Sequence, residues 1–152
     1  MSLRDAIATH LPDLRAIRHD LHAHPELAYN EHRTCATIAA ELARLNIAHI
    51  SHLAPGPNST RGTGVVAHLP ATAPTAPGTR AVGLRADIDA LPILERTGAP
   101  YASTTPGLMH ACGHDGHTTM LLGAARILRD MPRPKPITLV FQPAEEGGGG
   151  AD

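Results

Sequence analysis

Two short apolar runs constrain this chain more than anything else in it. Residues 81–88 and 137–142 each lead into carboxylates, and a helical pattern over 115–130 lies between them. The first run reads as a strand buried on both faces with its C-terminal end at a site. In the second, Ile137, Leu139 and Phe141 alternate with Thr138, Val140 and Gln142, a strand that delivers Glu145 and Glu146 to the same edge. The intervening helix opens at Asp115 or Gly116, sets Leu121, Ala125 and Leu128 on one face, and is stopped by Met131-Pro132-Arg133-Pro134.

The rest of the chain repeats this alternation. Leu3, Ile7, Leu11, Leu14, Ile17 and Leu21 recur at helical spacing, and Ser2 with Asp5 three residues on forms a capping box. Pro12 costs an interior helix about 3 kcal/mol, which predicts either a kink or a fresh helix starting at that residue. A second helix is expected from near Glu31 to Leu45, with Cys35, Ile38, Leu42 and Leu45 on one face, so Cys35 is a core residue. Strands follow over 48–53 and 65–69, separated by the turn residues 54–58. Residues 70–78 and 92–108 read as irregular loops. Helices alternating with strands imply an α/β layered fold. In such open sheets the ligand site lies beyond the carboxyl ends of the strands, where Asp87, Asp89 and the glutamate pair would converge.

Composition narrows the function. The 152 residues suit one domain, and with no Trp, one Phe and two Tyr the core is built from Ala, Leu, Ile and Val. A net charge of −1 leaves no electrostatic footprint for nucleic acid or an anionic membrane. Two distant cysteines make no disulfide framework, and the charged N-terminus has no apolar signal region, so a cytoplasmic protein is expected.

The chemistry concentrates in MHACGHDGH at 109–117 and in the carboxylates after the last strand. A thiolate from Cys112 and an imidazole from His114 can reach one cation, because the single glycine between them lets the backbone turn tightly. Such a pair alone is commonly incidental; carboxylates at the same edge strengthen it. Glu145 and Glu146 point in different directions, so one can bind a metal while the other accepts a proton from water. The plain alternative is a solvated acidic turn before the glycine run 147–150. Asp87 and Asp89 could orient a ligand histidine, or simply cap the strand end. His110 and His117 flank the cluster and are left out of the ligand set. His19, His22 and His24 crowd the end of the first helix, where imidazolium suits the dipole, and are read as structural. Residues 56–64 lack the Gly-Lys-Ser/Thr ending of a phosphate loop.

Four segments in order, RHDLHAHPEL at 18–27, LRADIDALP at 84–92, residues 110–117 and FQPAEEGG at 141–148, resemble the hippurate hydrolase and N-acyl-amino-acid amidohydrolase group of dinuclear metallopeptidases, which includes hydrolases of indole-acetyl amino acids. The resemblance implies a three-layer α/β/α, zinc-peptidase-like catalytic domain and two divalent ions, Zn, Mn, Co or Ni. It makes Cys112 the shared thiolate, His114 and Glu146 terminal ligands, Glu145 the general base and Asp89 the supporting aspartate. Asp87 stands where the wider clan has a ligand histidine, a departure typical of this subgroup.

By the same resemblance, residues 1–152 form the N-terminal part of the catalytic domain. The rest of that domain, a dimerisation domain and two further ligand histidines would come after Asp152. The implied substrate is a small N-acyl amino acid, with a homo-oligomer for the full-length family and weak metal binding and negligible turnover for this chain alone. Two other readings stay open: a silent remnant or interaction module that keeps the fold, and a di- or carboxypeptidase of the same clan.

Overall fold

The computed structural model describes residues 2–151, so the expectation about the chain's end at Asp152 lies outside the described residues. Along the chain run α1 (Leu3–Ala23), α2 (His32–Arg44), β1 (Ala48–Leu53), β2 (Gly64–Leu69), β3 (Val82–Asp87), α3 (His114–Asp130) and β4 (Ile137–Gln142). Ser2 caps α1 with the reciprocal Asp5 bond of a capping box. Pro12 starts no new helix: α1 runs through it as one element. Glu31 and Leu45, the expected ends of the second helix, are its two caps.

The four strands form one mixed sheet in the order β1-β2-β4-β3. β4 inserts between β2, to which it is antiparallel, and β3, to which it is parallel. A parallel pair needs a long crossover, and residues 88–136 with α3 supply it. The same register puts three chain segments at one edge: the C-terminal ends of β3 and β4, and the start of β2.

Val65, Ala67, Leu69, Ile137, Leu139, Phe141 and Ala86 point to one face and form a single core with Cys35, Ile38 and Leu42 of α2 and Leu121, Leu122 and Ala125 of α3. The α/β expectation holds, and Cys35 is fully buried. The expectation that β3 is buried on both faces does not. β3 is an outer strand of this sheet; Val82 is 44% exposed, Arg85 is exposed, and Ala86 alone is fully inside. The apolar run could not distinguish a central strand from an outer one, because its composition suits either.

α1 packs on α3 at Gly123, where an added Cβ would stand 2.9 Å from Leu14 Cδ1. Leu14 and Leu21 are buried, whereas Leu3, Ile7 and Leu11 of the same stripe lie exposed beside Met120. Among the described residues no helix is long and apolar enough to cross a membrane.

Candidate metal centre

The site is assembled from loops that leave the shared edge. Gly113, at φ 85° and ψ 20°, caps α3 in the left-handed region, so His114 becomes the first residue of the helix and turns back over the strand ends. His114 is 2% exposed. Its Nδ1 faces the Asp89 carbonyl oxygen at 2.9 Å and Asp89 Oδ1 at 3.2 Å, which makes Nδ1 the protonated nitrogen and leaves Nε2 as the acceptor. Nε2 lies 3.9 Å from Glu145 Oε2 and 4.0 Å from Glu146 Oε1.

Asp89 does two jobs with one buried carboxylate. While Oδ1 meets His114, Oδ2 accepts the backbone N–H of Glu146 at 2.9 Å. The helix start and the acidic loop are thereby fixed to the same side chain, although β3 has already ended at Asp87.

Two trios of donor atoms, each within 4.8 Å of one another, share His114. One is Cys112, His114 and Glu146; the other is Asp87, His114 and Glu145. The trios hold Cys112, His114, Glu145, Glu146 and Asp87, with Asp89 bonded behind His114, although Asp87 also accepts from Arg85 Nε at 2.8 Å. The Glu146 side chain, then burial, then the charges of Glu146, Glu145 and Asp87 push the Cys112 thiol pKa up. The carboxylates of Asp87, Glu145 and Glu146 repel one another around His114, and a Cys112 thiolate among them would add to that repulsion. A dication relieves that repulsion, and mixed S, N and O donors suit zinc and its transition-metal neighbours. The residues present fit such an ion.

His110 and His117 lie outside both trios. His117 is exposed with its ring 5.6 Å from that of His114. His22 is structural for a reason other than the helix dipole. Its Nδ1 meets Asp115 Oδ2 at 2.9 Å and its Nε2 meets Glu95 Oε1 at 3.2 Å, while Arg18 Nε donates to Asp115 at 3.2 Å. This network ties α1 and the loop at 92–108 to the first turn of α3. No spacing in the sequence pairs these residues, which are 73 and 93 positions apart.

His110, buried at 4% exposure, gives the metal-free protein an expected acid sensitivity. Burial pulls its pKa from 6.5 to about 4, against the opposing pull of Asp115, with His22 and His114 lowering it further. Below pH 6.5 the unfolded chain takes up a proton that the folded chain refuses until about pH 4. Stability should therefore fall across that window, by at most about 3 kcal/mol. Urea midpoints of the chelator-treated protein at pH 7 and pH 5 measure it, and His110→Leu should flatten the drop. Equal drops in both proteins would place the acid sensitivity elsewhere.

A mixed sheet flanked by helices, with a Cys, His and carboxylate cluster beyond its strand ends, has the donor set of a metal site at the edge where α/β sheets bind ligands. Residues 83–152 match the peptidase family M20/M25/M40. It is 47% identical over 138 residues to a putative glutamate–cysteine ligase of Rhodococcus jostii, covering 89% of this chain and 16% of that protein. It is 45% identical over 139 residues to an uncharacterised hydrolase of Staphylococcus aureus, covering 89% of this chain and 33% of that one. Among solved structures it superposes on the YXEP protein of Bacillus subtilis, a dinuclear metal binding peptidase from the M20 family, with a TM-score of 0.79 and 36% identity over 91% of this chain and 37% of that one. The chain thus spans about a third or less of the length of these relatives.

Proposed function

We propose that this chain is the metal-binding, N-terminal part of a catalytic domain that hydrolyses the amide bond of N-acyl amino acids of the hippurate type. The observation that carries the reading is the convergence of Cys112, His114, Glu145 and Glu146 at one sheet edge, with Asp89 behind them. Cys112, His114 and Glu146 would hold divalent cations. Such ions supply polarisation of the amide carbonyl and acidify water. The two-metal reading draws on the dinuclear relative.

Glu145 is the proposed general base. It is 42% exposed on the side chain, faces the same space as His114 Nε2, and can accept the proton of the attacking water. The water oxygen bonds to the acyl carbon, the C–N bond breaks, and Glu145 returns the proton to the departing nitrogen. Asp89 keeps the His114 imidazole in the tautomer whose Nε2 is a ligand. A cytoplasmic, small-molecule enzyme suits this chemistry. The rest of the catalytic domain and a dimerisation domain, making a homo-oligomer, would come from polypeptide beyond these residues, a reading supported by the share of its relatives that the chain spans. A dipeptidase or carboxypeptidase is the second reading, favoured by the description of the Bacillus relative as a peptidase.

The test starts with metal content. At equilibrium dialysis against Zn, Mn, Co or Ni, elemental analysis should find metal bound to the wild type in excess of the dialysate and little bound to Cys112→Ser. A panel of N-acyl amino acids and dipeptides should give negligible turnover with the chain alone, since three protein ligands do not complete a two-metal site. Absence of metal from the wild type would sink the reading and favour a silent remnant. Turnover abolished by Glu145→Gln would show that the chain suffices, and the preferred substrate would decide between amidohydrolase and peptidase.

A further inference from the structure

One buried carboxylate takes no part in the site as described so far. Glu31, immediately before α2, is 0% exposed and has no cationic partner among the described ion pairs. Burial raises its pKa, against hydrogen bonds that lower it. An anion placed there is costly unless neutral donors compensate it. They do so from two other segments. Thr63, itself fully buried and immediately before β2, donates its hydroxyl to Oε2 at 2.6 Å, and the backbone N–H of Ala144 donates to Oε1 at 2.8 Å.

The second bond is the informative one. Ala144 has φ 55°, in the left-handed region that an alanine avoids, and it directly precedes Glu145 and Glu146. Its carbonyl oxygen accepts from the N–H groups of Gly147 and Gly149, so the loop turns sharply about this residue. A non-glycine residue persists in that conformation only where its surroundings over-determine it. The turn that carries Glu31 also reaches the far end of the same loop. Tyr29, two residues earlier, accepts the Gly150 N–H on its hydroxyl at 3.2 Å and packs where a Cβ on Gly149 would stand.

We propose that Glu31 is a positioning residue for the acidic loop: its buried carboxylate accepts the Ala144 amide and holds that residue in the left-handed turn from which Glu145 and Glu146 face His114. Asp89 fixes the loop from the β3 side, and Glu31 fixes it from the side of α2. The metal arm of the test rests on the function proposed above; the backbone arm does not.

The experiment compares the full chain with Glu31→Ala, Glu31→Gln and Thr63→Ala, by amide hydrogen exchange and by cobalt(II) titration followed by absorbance. In Glu31→Ala, exchange at Ala144 should rise at least about tenfold while Leu139 and Val65 keep their protection, and cobalt affinity should fall about tenfold or more. Glu31→Gln keeps an amide oxygen for the Ala144 N–H and should restore both to within about threefold of wild type. Folded Glu31→Ala with Ala144 exchange and cobalt affinity within twofold of wild type overturns the proposal, as does a rise in Glu31→Gln equal to that in Glu31→Ala. If Glu31→Ala does not fold, Thr63→Ala decides: about threefold faster exchange at Ala144 supports the role, and unchanged exchange refutes it. Wild-type protein that binds no cobalt would count against the proposed metal centre, and the exchange data would still decide the role of Glu31.

Discussion

Replacing His114 with alanine should abolish metal binding, lowering cobalt(II) affinity at least about 100-fold, because this imidazole is the one donor common to both trios. The same titration sorts the remaining donors. If Cys112, His114 and Glu146 form the primary site, Cys112→Ser should weaken binding strongly and Glu145→Gln should leave it within about threefold. Asp87→Ala and Glu145→Gln weakening it as much as Cys112→Ser would make Glu145 a ligand and remove it from the role of base. Visible absorption distinguishes the two sites directly, since only the first contains sulfur and gives a thiolate-to-cobalt band. Far-UV circular dichroism of each variant checks that the loss is local.

Phe141→Ala should cost the fold about 3–5 kcal/mol, a large share of the roughly 5–15 kcal/mol that keeps a domain folded. Phe141 is the chain's one phenylalanine, 1% exposed, on one of the two interior strands, directly between Val65 and Ala86 in register. No other aromatic ring lies in this core cluster, so the aliphatic side chains around it would have to collapse into the vacated space. The urea midpoint should fall with an unchanged slope, and Leu at the same position should lose less. A loss under about 1 kcal/mol would mean that β4 is not central to the core. Because Gln142 to Glu146 continue directly from this strand, the same variant should also loosen the acidic loop.

Most of the architecture was legible because it rests on local signals. Helical periodicity locates the three helices, alternation locates β4, and short runs bounded by turn residues locate the other strands. What periodicity could not supply was neighbourhood. The run at 81–88 looks the same whether one or two strands flank it, and only pairing made β3 an outer strand. The stripe on α1 reads as one face, yet only its C-terminal half is buried: Leu14 and Leu21 are inside, and Leu3, Ile7 and Leu11 are exposed. Pro12 suggests either a kink or a new start, and its missing N–H and fixed φ are accommodated within one continuous helix, which rules out the new start.

The sequence by itself determined which residues could do chemistry: a thiol and an imidazole flanking a glycine, and carboxylates just past two strands. These are properties of residue type and short spacing, which the chain carries at any degree of folding. Only the tertiary structure decided how they are aimed. The parallel register of β3 and β4 brings Asp89 between His114 and the Glu146 amide, and burial makes that one carboxylate orient both. Glu31 and Ala144, 113 residues apart, became partners for the same reason. A buried donor must find an acceptor wherever the packed chain supplies one, and no local pattern records where that is.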